Sequence, residues 1–246
     1  MPTADKIPLK RFLHTVCLPA LTAHAPYFSL GELRRCLVAH KVQAATATLP
    51  RYLHEAVAEG SLHDAGRGWY STLITPFTLN HKPVEELVAV IKRCFPLLEF
   101  SCWSSEQVAS YGHLLLTRFV SFVHTERDAM ESVADGLRDE GWDPWLHPTR
   151  QEAAKNFRVT DKTVIVRPTV QRAPVEGHFA AIEKILVDFV PEMRALPLLD
   201  AGEFRRLVGN LAGSQRISVG TLARYATRRD VRLDDVLGAV INESRN

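Results

Sequence analysis

Residues 29–71 read SLGELRRCLVAHKVQAATATLPRYLHEAVAEGSLHDAGRGWYS. Ser29 followed by Glu32 is the pattern of a capping box, which satisfies two orphan amides at a helix start. The helix it opens holds Leu30, Leu33 and Leu37 on one side. After His40-Lys41-Val42-Gln43 a second periodic segment runs from Ala45 to Glu59, with Leu49, Tyr52, Leu53 and Val57 at helical spacing. Pro50 needs the first turn of this helix, where a missing N–H costs little, and Gly60 is placed to end it. Ser61-Leu62-His63-Asp64 and Trp69-Tyr70-Ser71 then flank Ala65-Gly66-Arg67-Gly68, a hairpin pattern with a glycine turn. Upstream, Ile7, Phe12, Leu13, Val16 and Cys17 form an apolar stripe before Pro26 breaks the chain. Helix, helix, helix and hairpin within residues 1–75 is the order of a winged helix-turn-helix.

That order carries an expectation of double-stranded DNA binding. The second helix of such a pair lies in the major groove with its leading residues at base edges, and a groove about 12 Å wide admits it. The candidate DNA-binding residues are Gln43, Thr46, Thr48, Arg51 and His54 on and before that helix, with Arg67 at the wing tip. Tyr52 shares the apolar stripe and is expected to pack. The alternative for the same region is a protein-interaction module that binds a partner protein and no DNA.

The rest of the chain divides by pattern. Residues 76–179 alternate strand and helix signals. Pro76 to Leu79 is strand-like, and Val84, Leu87, Val88, Ile91 and Phe95 mark an amphipathic helix. Strands are expected at Leu98 to Trp103, Arg118 to His124, Trp142 to Leu146 and Thr163 to Arg167. Capping patterns open helices at Ser104 to Gln107 and at Thr125 to Asp128, the second helix stopping at Gly141. This reads as a mixed α/β domain. Residues 180–246 carry helical stripes only and read as a helical bundle, so the whole chain is expected to be mixed α+β. Residues 76–246 together are expected to act as one domain.

Composition narrows the function classes. The chain has 246 residues and a net charge of +2, so no global basic field announces nucleic acid. Residues 1–75 nevertheless hold 8 Lys and Arg against 5 Asp and Glu, whereas 76–179 hold 12 against 14. A run of Arg224, Arg228, Arg229 and Arg232 offers a possible second basic surface. Cys17, Cys36, Cys94 and Cys102 lack metal or redox spacing and are expected to be buried free thiols in a cytoplasmic protein. No secretory signal and no membrane-length apolar run is present. Phosphate-loop, dinucleotide, zinc-protease and nucleophile-elbow motifs are absent, and the strand at Thr163 to Arg167 carries no acid for a metal nuclease. No catalytic residue, metal ligand or cofactor is expected. Trp103, Trp142 and Trp145 are expected in core or interface positions.

Several short pieces fall in an order that resembles a known family: Trp103-Ser104; Arg118 to Val133 (RFVSFVHTERDAMESV); Val164-Ile165-Val166-Arg167-Pro168; Ala173-Pro174-Val175; Ile182 to Asp188 (IEKILVD); and Leu222 to Arg229 (LARYATRR). The chain resembles the AbiEi-type antitoxins of type IV toxin–antitoxin systems. The resemblance implies a transcriptional autorepressor whose winged helix binds the operator in its own promoter. It also implies functional pairing with an AbiEii-type nucleotidyltransferase toxin, the C-terminal part supplying antitoxicity. It brings no catalytic residue with it.

Overall fold

The computed structural model describes residues 8–42, 48–112, 119–238 and 240–241, and the chain in it is mixed α+β with two sheets. At the front, α1 (Leu9–Phe12) continues through a π-helical turn (Leu13–Cys17) into α2 (Leu18–Thr22). Then come β1 (Tyr27–Ser29), α3 (Leu30–Ala39), α4 (Thr48–Ala58), β2 (His63–Asp64) and β3 (Trp69–Ser71). The strands make an antiparallel sheet in the order β1-β3-β2, with Phe28 opposite Tyr70 and His63 opposite Ser71. This is a winged-helix arrangement around a core of Leu13, Cys17, Phe28, Leu33, Leu37, Leu49, Leu53 and Leu62. The sequence patterns do not announce β1. Three residues after a proline are too few for a period, and the strand exists because β3 offers it an edge.

Ser29 ends β1 and caps α3. Its hydroxyl accepts from the Glu32 amide and the Glu32 carboxylate accepts from the Ser29 amide, so the expected capping box is complete. Replacing Ser29 by Ala should cost about 1 kcal/mol, read as a lower urea midpoint at an unchanged slope; an unchanged midpoint would contradict it.

The larger sheet contains β4 (Phe100–Ser104), β5 (Ser121–Thr125), β6 (Asp143–Leu146), β7 (Thr163–Pro168), β8 (Val175–Glu176) and β9 (Phe179–Ala180). Its order is β6-β7-β5-β4-β9-β8. Strands β6, β7 and β5 are parallel, and β4 is antiparallel to β5 and parallel to β9. Side chains alternate across a strand, and both faces here are covered. Cys102, Val123, Val164 and Val166 pack with α5 (Lys82–Cys94) and α7 (Met130–Asp139). Trp103, Phe122 and Ile165 point the other way, into the core shared with α9 (Ile182–Ala195), α10 (Ala201–Ser214), α11 (Val219–Arg228) and α12 (Leu233–Leu237). Tyr27 of β1 and Ala65 of the wing belong to that same core. The Tyr27 hydroxyl donates to the Gln215 carbonyl and accepts from the Ile217 amide, tying the winged helix to the segment before α11. No helix among the described residues is long and apolar enough to cross a membrane.

Some expectations are corrected. Pro76 to Leu79 forms one isolated bridge, Pro76 to Arg216, and no strand: proline lacks the amide needed to extend the pairing. Ser104 ends β4, and the short α6 (Glu106–Ala109) starts after Ser105. Gln107 does accept from the Ser104 amide, but the Ser104 hydroxyl accepts from Glu106, so only half of that box forms. A 3-10 turn, Arg127–Ala129, precedes α7 with no side-chain cap. Cys17 and Cys102 are buried, Cys36 is half-buried, and Cys94, in the last turn of α5, is exposed. Trp103 is fully buried, and Trp142 and Trp145 are half-buried against the same cores. Beyond the patterns read from sequence lie α8 (Arg150–Asn156), with a complete Thr149–Glu152 capping box, and the small β8–β9 hairpin.

Candidate nucleic-acid interface

Helix α4 buries Leu49, Leu53 and Ala56. The opposite side therefore carries Arg51, His54 and Ala58 to solvent. Thr48, its first residue, is half-buried, and Tyr52 packs partly against the winged-helix core, as its place in the stripe requires. Gln43 and Thr46 lie outside the described residues. The Arg51 side chain is 66% exposed; its guanidinium lies over the Tyr52 ring and 3.6 Å from Glu55. Glu55 and Glu59 both reach Lys10, at 3.4 and 3.2 Å, and Glu59 first, then Glu55, holds the lysine above its ordinary range. Arg51 is thus partly neutralised by its own helix. Arg11, Arg34 and Arg35 are exposed with no carboxylate partner among the described residues. They add positive charge on this side of the chain that the reading of motifs passed over, although the excess of basic residues in 1–75 already contained them.

The wing has a different environment from a free hairpin. Gly66 and Gly68 lie at φ +91° and +80°, in the left-handed region that favours glycine. A Cβ on Gly66 would stand 2.7 Å from the Ser218 hydroxyl and 3.0 Å from the Gly220 Cα. A Cβ on Gly220 would stand 2.7 Å from the Arg67 amide. The Gly220 amide donates to the Ala65 carbonyl at 2.9 Å. The turn is therefore seated backbone to backbone on the start of α11, and only the Arg67 side chain projects to solvent.

The basic run at Arg224 to Arg232 splits. Arg224 and Arg228 are exposed. Arg232 is 77% exposed and 3.4 Å from Asp234. Arg229 is no part of a basic surface: its Nε lies 2.8 Å from Asp188, which is fully buried. Asp188 also accepts from Lys184 and from the Tyr225 hydroxyl and lies 3.5 Å from His124 Nε2. One helical turn along α9, Glu192 takes Arg167 in a two-pronged pair at 2.9 and 2.6 Å. His124, Arg167, Lys184, Asp188, Tyr225 and Arg229 all come from the short pieces noted in the sequence, and the fold brings them into one seam between sheet, α9 and α11, whereas Glu126, Arg127, Asp128, Arg224 and Arg228 of the same pieces are exposed. The burial of such charges is tolerable only because each finds an opposite partner.

In that seam Arg229 Nε lies close to Asp188 without a hydrogen bond, and the His124 imidazole makes none either. Both ring nitrogens are buried without a hydrogen-bond partner. Burial, then the charges of Lys184, Arg229 and Arg167, push its pKa well below the ordinary value, against a smaller pull from Asp188. The folded state excludes a proton that the unfolded chain accepts, so this stability is complete above about pH 6.5 and is lost as pH falls below it. Asp188, which burial alone would raise, is held below the carboxylate range by Lys184 and Arg229, so it acts only at lower pH. The urea midpoint of the wild type should therefore drop more between pH 7.5 and 5.5 than that of His124→Gln; parallel curves would contradict this.

Among the described residues, no group of His, Cys, Asp and Glu side chains is placed to hold a metal ion. The chain matches, over residues 48–244, a family of unknown function designated DUF6577, and it belongs to that family. The match begins at α4 and takes in the wing, the large sheet and the C-terminal helices. No curated protein is significantly similar to it.

Proposed function

We propose that this member of the family binds double-stranded DNA through α4 and the wing, represses its own promoter, and serves as the AbiEi-type antitoxin to a nucleotidyltransferase toxin in the cytoplasm. The observation that carries the DNA half is the outward face of α4, where Arg51 and His54 stand clear of the core in a winged-helix arrangement. The antitoxin half rests on the resemblance in β5, β7, α9 and α11. We assign no catalytic residue and no cofactor: Lys184, Asp188 and Arg167 of those pieces are buried in ion pairs and serve packing.

A gel shift on the DNA upstream of its gene, at 50 and 200 mM salt, tests the DNA half. Binding should be seen at low salt and fall steeply, because each phosphate contact releases counterions. No shift at low salt would remove this half. Arg51→Ala should weaken binding by about 1–3 kcal/mol if that side chain reads a base; unchanged affinity would refute that role. Co-expression with the product of the adjacent gene tests the antitoxin half: growth should be restored, and continued arrest would contradict it. The pairing of Arg51 with Glu55, and of Lys10 with Glu55 and Glu59, favours a second reading in which the same face binds a protein. Co-purification with the neighbouring product, combined with no DNA shift, would select it.

A further inference from the structure

We infer that the DNA contact continues past the wing along α11, where Arg224 and Arg228 form a track for the phosphate backbone beside the segment under the winged helix. The inference rests on the DNA-binding reading and extends its surface.

Its basis is the seat between wing and α11. Gly66 and Gly220 approach so closely that neither has room for a methyl group, and the Gly220 amide is bonded to Ala65. The wing therefore has a fixed position relative to α11, and whatever lies against Arg67 meets that helix next. Residues four apart share a helix side and advance about 6 Å per step. Gly220, which touches the wing, is followed in this row by Arg224 and Arg228, both exposed. The buried stripe of Leu222, Tyr225 and Ala226 faces the other way, into the core.

Charge separates this row from its neighbours. Arg51, Arg229 and Arg232 each lie within 4 Å of a carboxylate, whereas Arg67, Arg224, Arg228 and the nearby Arg172 do not, among the described residues. Arg224 is held by the Thr221 hydroxyl at 3.1 Å, and Arg228 by the Arg172 carbonyl at 2.8 Å. Those bonds orient the guanidiniums and leave further N–H donors on each. The acid of the wing strand, Asp64, accepts from the Gly66 amide, and Asp230 is the exposed acid that follows the run. A row of oriented arginines without counterions suits a polyanion of regular spacing, and arginine forks match phosphate oxygens.

The experiment measures binding of the full chain by fluorescence anisotropy between 50 and 200 mM KCl. Two duplexes are used, a short one centred on the segment protected at low salt and one extended at both ends. For the wild type the slope of log K against log salt should be steeper on the long duplex. Arg224→Gln/Arg228→Gln should make that slope shallower by about 2 and leave the short duplex unaffected. Arg205→Gln/Arg206→Gln, two exposed cations on α10, should change neither. Equal slopes for wild type and track variant on the long duplex would overturn the inference while leaving the DNA reading intact. Equal slopes combined with lost protection against the toxin would overturn it and assign these arginines to a protein partner. No wild-type binding to either duplex would overturn both readings.

Discussion

Asp188→Ala should lower stability by about 3–5 kcal/mol, because it leaves buried cations without a counter-charge. Asp188 and Lys184 are both fully buried and hydrogen-bonded to each other one turn apart on α9. The Tyr225 hydroxyl donates to the same carboxylate at 2.9 Å and Arg229 lies 2.8 Å away, so Asp188 joins the end of α11 to α9, as Glu183 joins its start by accepting from the Ser218 amide. Removing it strands Lys184 in the core. Burial already lowers that lysine's pKa, against the pull of Asp188. Equilibrium urea unfolding at pH 7.5 measures the loss. Tyr225→Phe removes one hydrogen bond and should cost about 1 kcal/mol. If the alanine variant does not fold, Asp188→Asn keeps the shape, removes the charge, and should fall between the two. A cost for Asp188→Ala no greater than that of Tyr225→Phe would contradict the account of the seam.

Gly66→Val should cost about 2–5 kcal/mol, from a left-handed backbone and a steric clash together. The residue lies at φ +91°, and its first added carbon would meet the Ser218 hydroxyl at 2.7 Å and the Gly220 backbone at 3.0 Å. The backbone of α11 cannot swing aside as a flexible side chain would. Gly68→Ala is the comparison: it lies at φ +80° with open space where its Cβ would go, so it should show the conformational cost alone. Hydrogen exchange reports the location, since the Gly220 amide is protected by Ala65 and should exchange faster in Gly66→Val. Equal destabilisation by the two variants would mean that the wing does not bear on α11.

The winged helix is legible in the sequence because its devices are local. Ser29 and Glu32 cap within one turn, Leu49 and Leu53 recur at helical spacing, and Gly60, at φ +73°, ends α4 with the Ser61 amide returning to the Ala56 carbonyl. The same holds for α5, β6 and β7. The short strands β1, β8 and β9 are not legible: two or three residues carry no period, and β1 and β9 depend on distant partners, β3 and β4, while β8 pairs, among the described residues, only with β9. The candidate site divides in the same way. The exposure of Arg51 and His54 follows from the stripe opposite them. The inward turn of Arg229 does not, because four nearby arginines look alike until the burial of Asp188 separates them. The seating of the wing on α11 is hidden too, since Gly66 reads as an ordinary turn glycine and Gly220 as an ordinary helix residue until the two meet.

The central claim, that α4 enters the major groove, is tested most directly by dimethyl sulfate protection of the bound promoter duplex. Guanine N7 faces the major groove. The wild type is expected to protect guanines within its site, and Arg51→Ala to leave at least one of them reactive again. A retarded duplex whose guanines all remain as reactive as in free DNA would contradict the claim.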